Sequence, residues 1–181
     1  TRITATIRPR KERIAGSMEL TLVITHACNL GCAYCYAGRK HGKRMPVETG
    51  EKALVWGFAQ LAEGAKIQVG YFGGEPLMAW DLLQHFQLRT EEFAKAKKAE
   101  LVTTVTTNGT LLDKQKMDWM TAHKVVVAVS LDGAKETHDA RRPYANGASS
   151  FDDALRGAKF ALSQAPLTEL IAVTDPATVG Q

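Results

Sequence analysis

The chain has 181 residues, enough for one sizeable hydrophobic core and too few for two comfortable domains. Its 45% apolar and 23% charged residues are the ordinary globular mixture, which excludes a disordered or fibrous chain, and no apolar run approaches the roughly 18 to 20 residues that cross a bilayer. The net charge of +4 comes from an excess concentrated in Arg8, Arg10, Lys11 and Arg13 and in Arg39, Lys40, Lys43 and Arg44. Such runs read first as solvated loops and second as help in holding an acidic substrate or leader segment.

Residues 1–19 form a basic N-terminal segment without the apolar middle of a signal peptide, so a cytoplasmic protein is expected. From Leu20 to the end, strand-like and helix-like stretches alternate, the pattern of βα units around a parallel sheet. The first strand spans Leu20 to Thr25. A helix follows Pro46, with Leu54, Phe58 and Leu61 on one face and Gly64 placed to end it.

The second strand, Lys66 to Phe72, precedes a helix marked by Leu82, Phe86 and Phe93, whose Lys-rich end at 95–98 suits the helix dipole. Leu101 to Thr107 is the third strand, and Asp113 then caps a short helix carrying Met117 and Met120. The fourth, Val125 to Leu131, runs into a long polar loop from Asp132 to Ser149, followed by a helix that Ser150 and Asp153 can cap together. Leu167 to Thr174 is the fifth. The chain lacks an initial methionine and stops seven residues after that strand, which reads as a fragment of something longer with an uncovered sheet edge.

All three cysteines lie in "CNLGCAYCY", residues 28–36, directly after the first strand. That places Cys28, Cys32 and Cys35 on one loop at the C-terminal end of the sheet, where βα folds bind their ligands. With no other cysteine to pair with, metal or thiol chemistry in a reducing compartment is favoured over disulfides. A zinc site would need a fourth ligand such as His26 or His41. A redox pair of Cys32 and Cys35 would leave Cys28 unexplained. In a four-iron cluster, three thiolates would leave one iron open to an external ligand.

Further motifs sit at the later strand ends. In "YFGGEPL", Gly73 and Gly74 allow close backbone approach, Glu75 offers a carboxylate and Pro76 stops the strand. "TTNGTLL" carries Asn108 before Gly109, and "SLDG" puts Ser130 and Asp132 on one face of an extended strand. In "HDARRP", His138 and Asp139 read as a solvated loop rather than a catalytic pair.

The spacing CxxxCxxC with Tyr34 before the last cysteine, joined to "FGGEPL", "TNGTLL", "SLDG" and "HDxxRP...G..SFD", resembles the radical S-adenosylmethionine enzymes. It is most similar to their peptide- and protein-modifying subfamily with a cysteine-rich SPASM extension. The resemblance covers Leu20 to Thr174 and implies an α/β fold, a partial (β/α)6 TIM-like barrel here cut to about five βα units, with residues 20–181 as an incomplete core domain.

It also implies a 4Fe-4S cluster on Cys28, Cys32 and Cys35. The open iron would be chelated by S-adenosylmethionine, which is cleaved to a 5'-deoxyadenosyl radical that takes hydrogen from a peptide or protein. Tyr34 would pack beside the adenine, and Gly73, Gly74 and Glu75 would hydrogen-bond the methionine ammonium. Asn108 would face the cofactor, Ser130 would contact ribose or methionine, Asp132 would shape the site, and Arg142 would face the cosubstrate carboxylate. The implied partners are a peptide or protein substrate and an electron donor such as flavodoxin or ferredoxin, with no nucleic acid and no membrane. The rival readings are an anaerobic sulfatase-maturating enzyme and a non-catalytic iron-sulfur or zinc fragment. The pattern departs from the resemblance in lacking a sixth strand and the auxiliary-cluster cysteines.

Overall fold

In the computed structural model, which describes residues 14–38, 40–165 and 167–174, five strands form one parallel sheet in the order β1-β2-β3-β4-β5. They are β1 (Ser17–Thr25), β2 (Lys66–Gly73), β3 (Glu100–Thr107), β4 (Val125–Ser130) and β5 (Glu169–Ile171). Five helices connect them: α1 (Val47–Gln60), α2 (Trp80–Lys97), α3 (Lys114–Ala122), α4 (Lys135–Arg141) and α5 (Phe151–Gln164). Sequential order and parallel pairing are the arrangement of an open, five-stranded part of a (β/α) barrel.

The strands alternate as a two-residue period demands, and the register aligns the alternation across the sheet. Leu22, Tyr71, Val105 and Val127 stand opposite one another and are all buried beneath the helices. One residue earlier, Thr21, Gly70, Thr104 and Val126 form the matching row on the helix-free face. Each fully buried Leu or Phe on the covered side contributes about 1.5–3 kcal/mol of burial free energy.

The helices approach closely where glycine allows it. A Cβ at Gly50 of α1 would lie 2.2 Å from the Phe86 ring of α2, and one at Gly157 of α5 would lie 2.1 Å from the Gly109 carbonyl oxygen. The second contact presses α5 against the turn after β3. At the start of α3, Asp113 accepts from the Lys116 amide at 2.8 Å, as its sequence position implies.

Several boundaries differ from expectation. β1 begins at Ser17, so residues 17–19 belong to the sheet rather than to the basic segment, whose residues 1–13 lie outside the described part, as does Arg39. α1 ends at Gln60 because Leu61 turns extended, is fully buried and bridges Ile14; Gly64 (φ +77°) serves the following turn instead. β5 is confined to Glu169–Ile171, within the expected Leu167 to Thr174.

The polar stretch from Asp132 to Ser149 contains α4, a helix without an apolar stripe. Ser150 and Asp153 do not cap α5 together. Asp139 does so from outside, its Oδ1 accepting from the amides of Ser150 (3.0 Å) and Phe151 (3.1 Å), while Asp153 accepts from the Tyr144 hydroxyl at 2.6 Å.

Candidate active site

A cavity of 580 Å³ opens at the C-terminal ends of the strands, within the roughly 300–1,000 Å³ usual for small-molecule sites. Cys28, Cys32 and Cys35 line it, together with Tyr34, Gly73, Gly74, Asn108, Ser130 and Arg142. Of the site residues the sequence singles out, Glu75 and Asp132 stand behind this wall.

The cysteine loop leaves β1 and is pinned from the far side of the sheet. Its Gly31 and Ala33 amides donate to the Pro143 and Arg141 carbonyls, both at 2.8 Å, and Ala145 N–H returns a bond to Asn29 O at 2.9 Å. Leu30, buried, fixes the loop apolarly at the same place. The segment after α4 therefore holds the thiols in position.

All three thiols are free. Burial pushes the Cys28 and Cys32 thiols above their ordinary pKa. Burial acts the same way on Cys35, but Lys40, whose Nζ lies 2.5 Å from its sulfur, leads the effects that bring it below the ordinary value. Among the described residues, no three His, Cys, Asp or Glu side chains are set to share one metal ion. His26 and His41 pair with each other, ring centroids 4.3 Å apart. That arrangement does not fit a tetrahedral zinc site. Three thiols facing one cavity from separate points fit a polynuclear cluster, in which each thiolate binds a different iron.

Gly73 and Gly74 could carry no side chain. A Cβ at Gly73 (φ +145°) would lie 2.2 Å from Thr25 O, and one at Gly74 2.2 Å from Ala27 O. This stretch is bound to the start of the cysteine loop by Gly74 N–H to Thr25 O and Glu75 N–H to Ala27 O, both 2.8 Å. It offers the cavity bare backbone.

The Glu75 side chain, expected from the resemblance to meet a ligand ammonium, is not among the residues that line the cavity. It is fully buried, and its Oε1 accepts from Leu77 N–H (3.0 Å) and the Thr107 hydroxyl (2.8 Å). Its Oε2 accepts from Asn108 N–H at 2.7 Å. Burial raises its pKa against these three donors. The carboxylate ties β2 to the end of β3 and sets Asn108 in place.

Asn108 lies at the wall, its Nδ2 donating to Asn29 Oδ1 at 2.8 Å and standing 4.0 Å from Cys28 Sγ. Its Oδ1 accepts from both the amide (3.0 Å) and the hydroxyl (2.8 Å) of Thr110. Ser130, 8% exposed, faces the cavity from the end of β4.

Asp132, Tyr34 and Arg142 form one cluster. The Tyr34 hydroxyl donates to Asp132 Oδ2 at 2.5 Å, and the Arg142 guanidinium carbon lies 5.2 Å above the Tyr34 ring. Burial opposes charge on Asp132, but Arg142, Tyr34 and the Val173 amide (3.0 Å to Oδ1) together hold its carboxyl below the usual range. Burial, then the bond to Asp132, raises the Tyr34 phenol. Arg142 Nε is 2.9 Å from Asp132 Oδ2 yet buried and not aligned for a hydrogen bond. An arginine that lines the cavity while its Nε is held toward Asp132 suits an anionic ligand group.

Neither His138 nor Asp139 is a solvated loop residue. His138 is fully buried: its Nδ1 accepts from Asp132 N–H at 3.2 Å, and its Nε2 lies 3.1 Å from Ser150 Oγ, which donates to Arg142 O at 2.5 Å. Those partners require a neutral ring with the proton on Nε2. Burial, then the charge of Arg142, lowers its pKa, in keeping with that state. Sequence reasoning passed over Asn29, which lies between two cysteines, a signal that was there to use, and read Lys40 only as part of a basic run, not as a partner of Cys35.

A half-barrel whose strand ends gather three thiols, a glycine cradle and an arginine around one cavity is the architecture of a cofactor-binding α/β protein. Residues 22–171 match the model of the Radical SAM superfamily, and the chain belongs to that family, which uses a 4Fe-4S cluster and S-adenosylmethionine. It is 35% identical over 138 residues to the Fe-coproporphyrin III synthase of Methanosarcina barkeri, covering 74% of this chain and 31% of that one. It is 30% identical over 137 residues to the serine-type anaerobic sulfatase-maturating enzyme of Klebsiella aerogenes, covering 72% and 33%. The solved structure of native anSMEcpe with bound AdoMet and Kp18Cys peptide shares the fold, with TM-score 0.73, 23% identity, and coverage of 88% of this chain and 43% of that chain. The chain thus spans under half the length of these proteins. Among the described residues, no helix is long and apolar enough to cross a membrane.

Proposed function

We propose that residues 20–181 are the cluster- and cosubstrate-binding core of a radical enzyme that modifies a peptide or protein side chain. The observation that carries this reading is the one cavity that the three thiols, the Gly73-Gly74 backbone and Arg142 all line. When bound, a 4Fe-4S cluster supplies the electron for cleavage of S-adenosylmethionine, and the nucleoside fragment removes hydrogen from the substrate.

The chain's own part is to bind and to orient. Cys28, Cys32 and Cys35 would each hold one iron and leave the fourth open. Gly73 and Gly74 would let the amino group of the cosubstrate reach main-chain acceptors. Arg142, steered by Asp132, would take its carboxylate, while Ser130 and Asn108 would bound the ribose or methionine part. Tyr34 would shield one side of the site while anchored to Asp132. His138 would act as a positioning residue, since it holds Asp132 N–H and, through Ser150, the Arg142 carbonyl.

Peptide chemistry is supported by the sulfatase-maturating relative, whereas the coproporphyrin relative shows that family membership alone does not select the substrate. An external reductant, a flavodoxin or ferredoxin, belongs to the same reading. The test is anaerobic reconstitution with iron and sulfide, followed by iron analysis, electron paramagnetic resonance and assay of 5'-deoxyadenosine. Cluster and product are expected from the wild type, and neither from Cys32→Ala. Undiminished product from that variant would sink the assignment.

A further inference from the structure

The helix-free face of the sheet holds a second hollow of 340 Å³. It is continuous with the thiol cavity, since Phe72, Thr106 and Ile171 line both. Its floor is the row Thr21, Gly70 and Thr104, and two carboxylates, Glu19 of β1 and Glu169 of β5, face it from opposite edges of the sheet.

Gly70 is glycine for no reason of the fold. Its backbone is not left-handed, and a Cβ there would meet the hydroxyl oxygens of Thr21 and Thr104 at 3.5 Å each, an ordinary contact. Glycine inside a strand weakens it, and where the backbone does not require one it often marks room kept for something else. The missing side chain leaves the hollow open between two hydroxyl groups.

The electrostatics of the hollow are one-sided. Among the described residues its lining contains two acidic residues and no lysine or arginine. Among the described residues neither Glu19 nor Glu169 is in an ion pair, whereas the nearby Lys66, at the foot of the same face, is already bridged to Glu100 at 3.0 Å. This negative pocket sits in a chain whose net charge is +4. General attraction therefore favours acidic peptides, and a preference for a cation has to come from this place.

We propose that the hollow floored by Gly70 is a substrate subsite that takes a cationic side chain, lysine or arginine, of the peptide, with Glu19 and Glu169 as its charge partners and the Thr21 and Thr104 hydroxyls as neutral donors and acceptors. This inference rests on the peptide reading of the site and names the substrate class it selects. A side chain seated there places a neighbouring residue of the same peptide toward the thiol cavity, because the two spaces share a wall. Gly70 is thus a specificity-determining position, set apart from the cosubstrate contacts.

The experiment uses the cluster-loaded protein and two neutral-capped probes, acetyl-Gly-Arg-Gly-amide and acetyl-Gly-Glu-Gly-amide, with binding followed by saturation-transfer NMR at fixed ionic strength. The arginine peptide is expected to bind about tenfold tighter or better. Glu19→Gln combined with Glu169→Gln is expected to erase the difference. Gly70→Leu is expected to abolish binding of the arginine peptide while the melting temperature stays level or rises, and Gly70→Ala to retain most of it. Equal binding of the two probes, binding of neither, or a preference that survives the double substitution would overturn the subsite. Failure of the wild type to release 5'-deoxyadenosine would instead strike the radical reading, so the two failures are separable.

Discussion

The two faces of this sheet are built from alternate residues of the same strands, yet they follow opposite rules. On the helix-covered face Leu22, Ile24, Ile67, Val69, Val105, Val127 and Val129 pack into one core with Leu54, Phe58, Leu83 and Phe86. On the other face Glu19, Thr21, Gln68, Gly70, Thr104 and Thr106 line open space. Stability is concentrated on the first, while the second lines open space, so substitutions one residue apart report on different properties.

The hardest way to break the covered face is at Phe86. Its ring is fully buried and fills the space that Gly50 leaves between α1 and α2. Phe86→Ala is expected to cost about 3–5 kcal/mol, read as a lower urea midpoint. The opposite defect, Gly50→Val, should also destabilise, because the new side chain would overlap that ring.

Glu75 is where the two faces meet, since its buried carboxylate supports the cavity wall without touching the cavity. Glu75→Gln retains the shape but turns an amide N–H₂ toward one of the three donors that now point at the carboxylate. A loss of about 1–3 kcal/mol is expected in thermal unfolding. Cluster loading should fall with it if Asn108 shifts beside Cys28. A variant with unchanged stability would show that the carboxylate does not order this strand end.

Much of this plan was readable from the residues. The alternation in "LTLVIT" and "KIQVGYF" marks strands with one buried face, Asp113 marks a helix start, and the three cysteines with the glycine pair mark the ligand-binding end. What escaped had no periodic signal. The α4 helix has no apolar face; its inward residue is His138, which is buried because its ring satisfies two polar partners rather than because it is hydrophobic. The side-chain direction of Glu75 was equally hidden, because it depends on Thr107 and Asn108, residues 32 and 33 positions away that the sheet brings alongside. Leu61 left its expected helix for the same kind of reason, a long-range bridge to Ile14.

His138 makes the site's support sensitive to acid. In the unfolded chain its imidazole takes a proton near 6.5, whereas in the fold burial, then the Arg142 charge, keeps it neutral to lower pH. Where the unfolded state binds a proton that the native state does not, stability falls as pH falls. The contribution is therefore full above about 6.5 and declines below it toward the depressed folded value. Unfolding free energies measured from pH 7.5 to about 5 should show this slope, and His138→Gln should flatten it. Asp132 and Asp139, the carboxylates facing the ring, act the other way but do not reverse the net direction.

The smallest expected effect is the sharpest test of the comparison, because it uses one substitution twice on one strand. Thr107 and Thr104 both lie in β3, three residues apart and so on opposite faces. Thr107 is buried; its hydroxyl donates to Glu75 and accepts from Gly109 N–H at 3.1 Å. Thr107→Val keeps the shape and removes both bonds, leaving Glu75 and the Gly109 amide short of a partner, at about 1–3 kcal/mol. Thr104→Val puts a methyl group into an open hollow and retains β-branching, so it should change stability by no more than about 0.5 kcal/mol. If the two variants unfold at the same urea concentration, the division of labour between the faces is wrong. If only Thr107→Val loses stability, the helix-free face is free to vary at little cost to the fold.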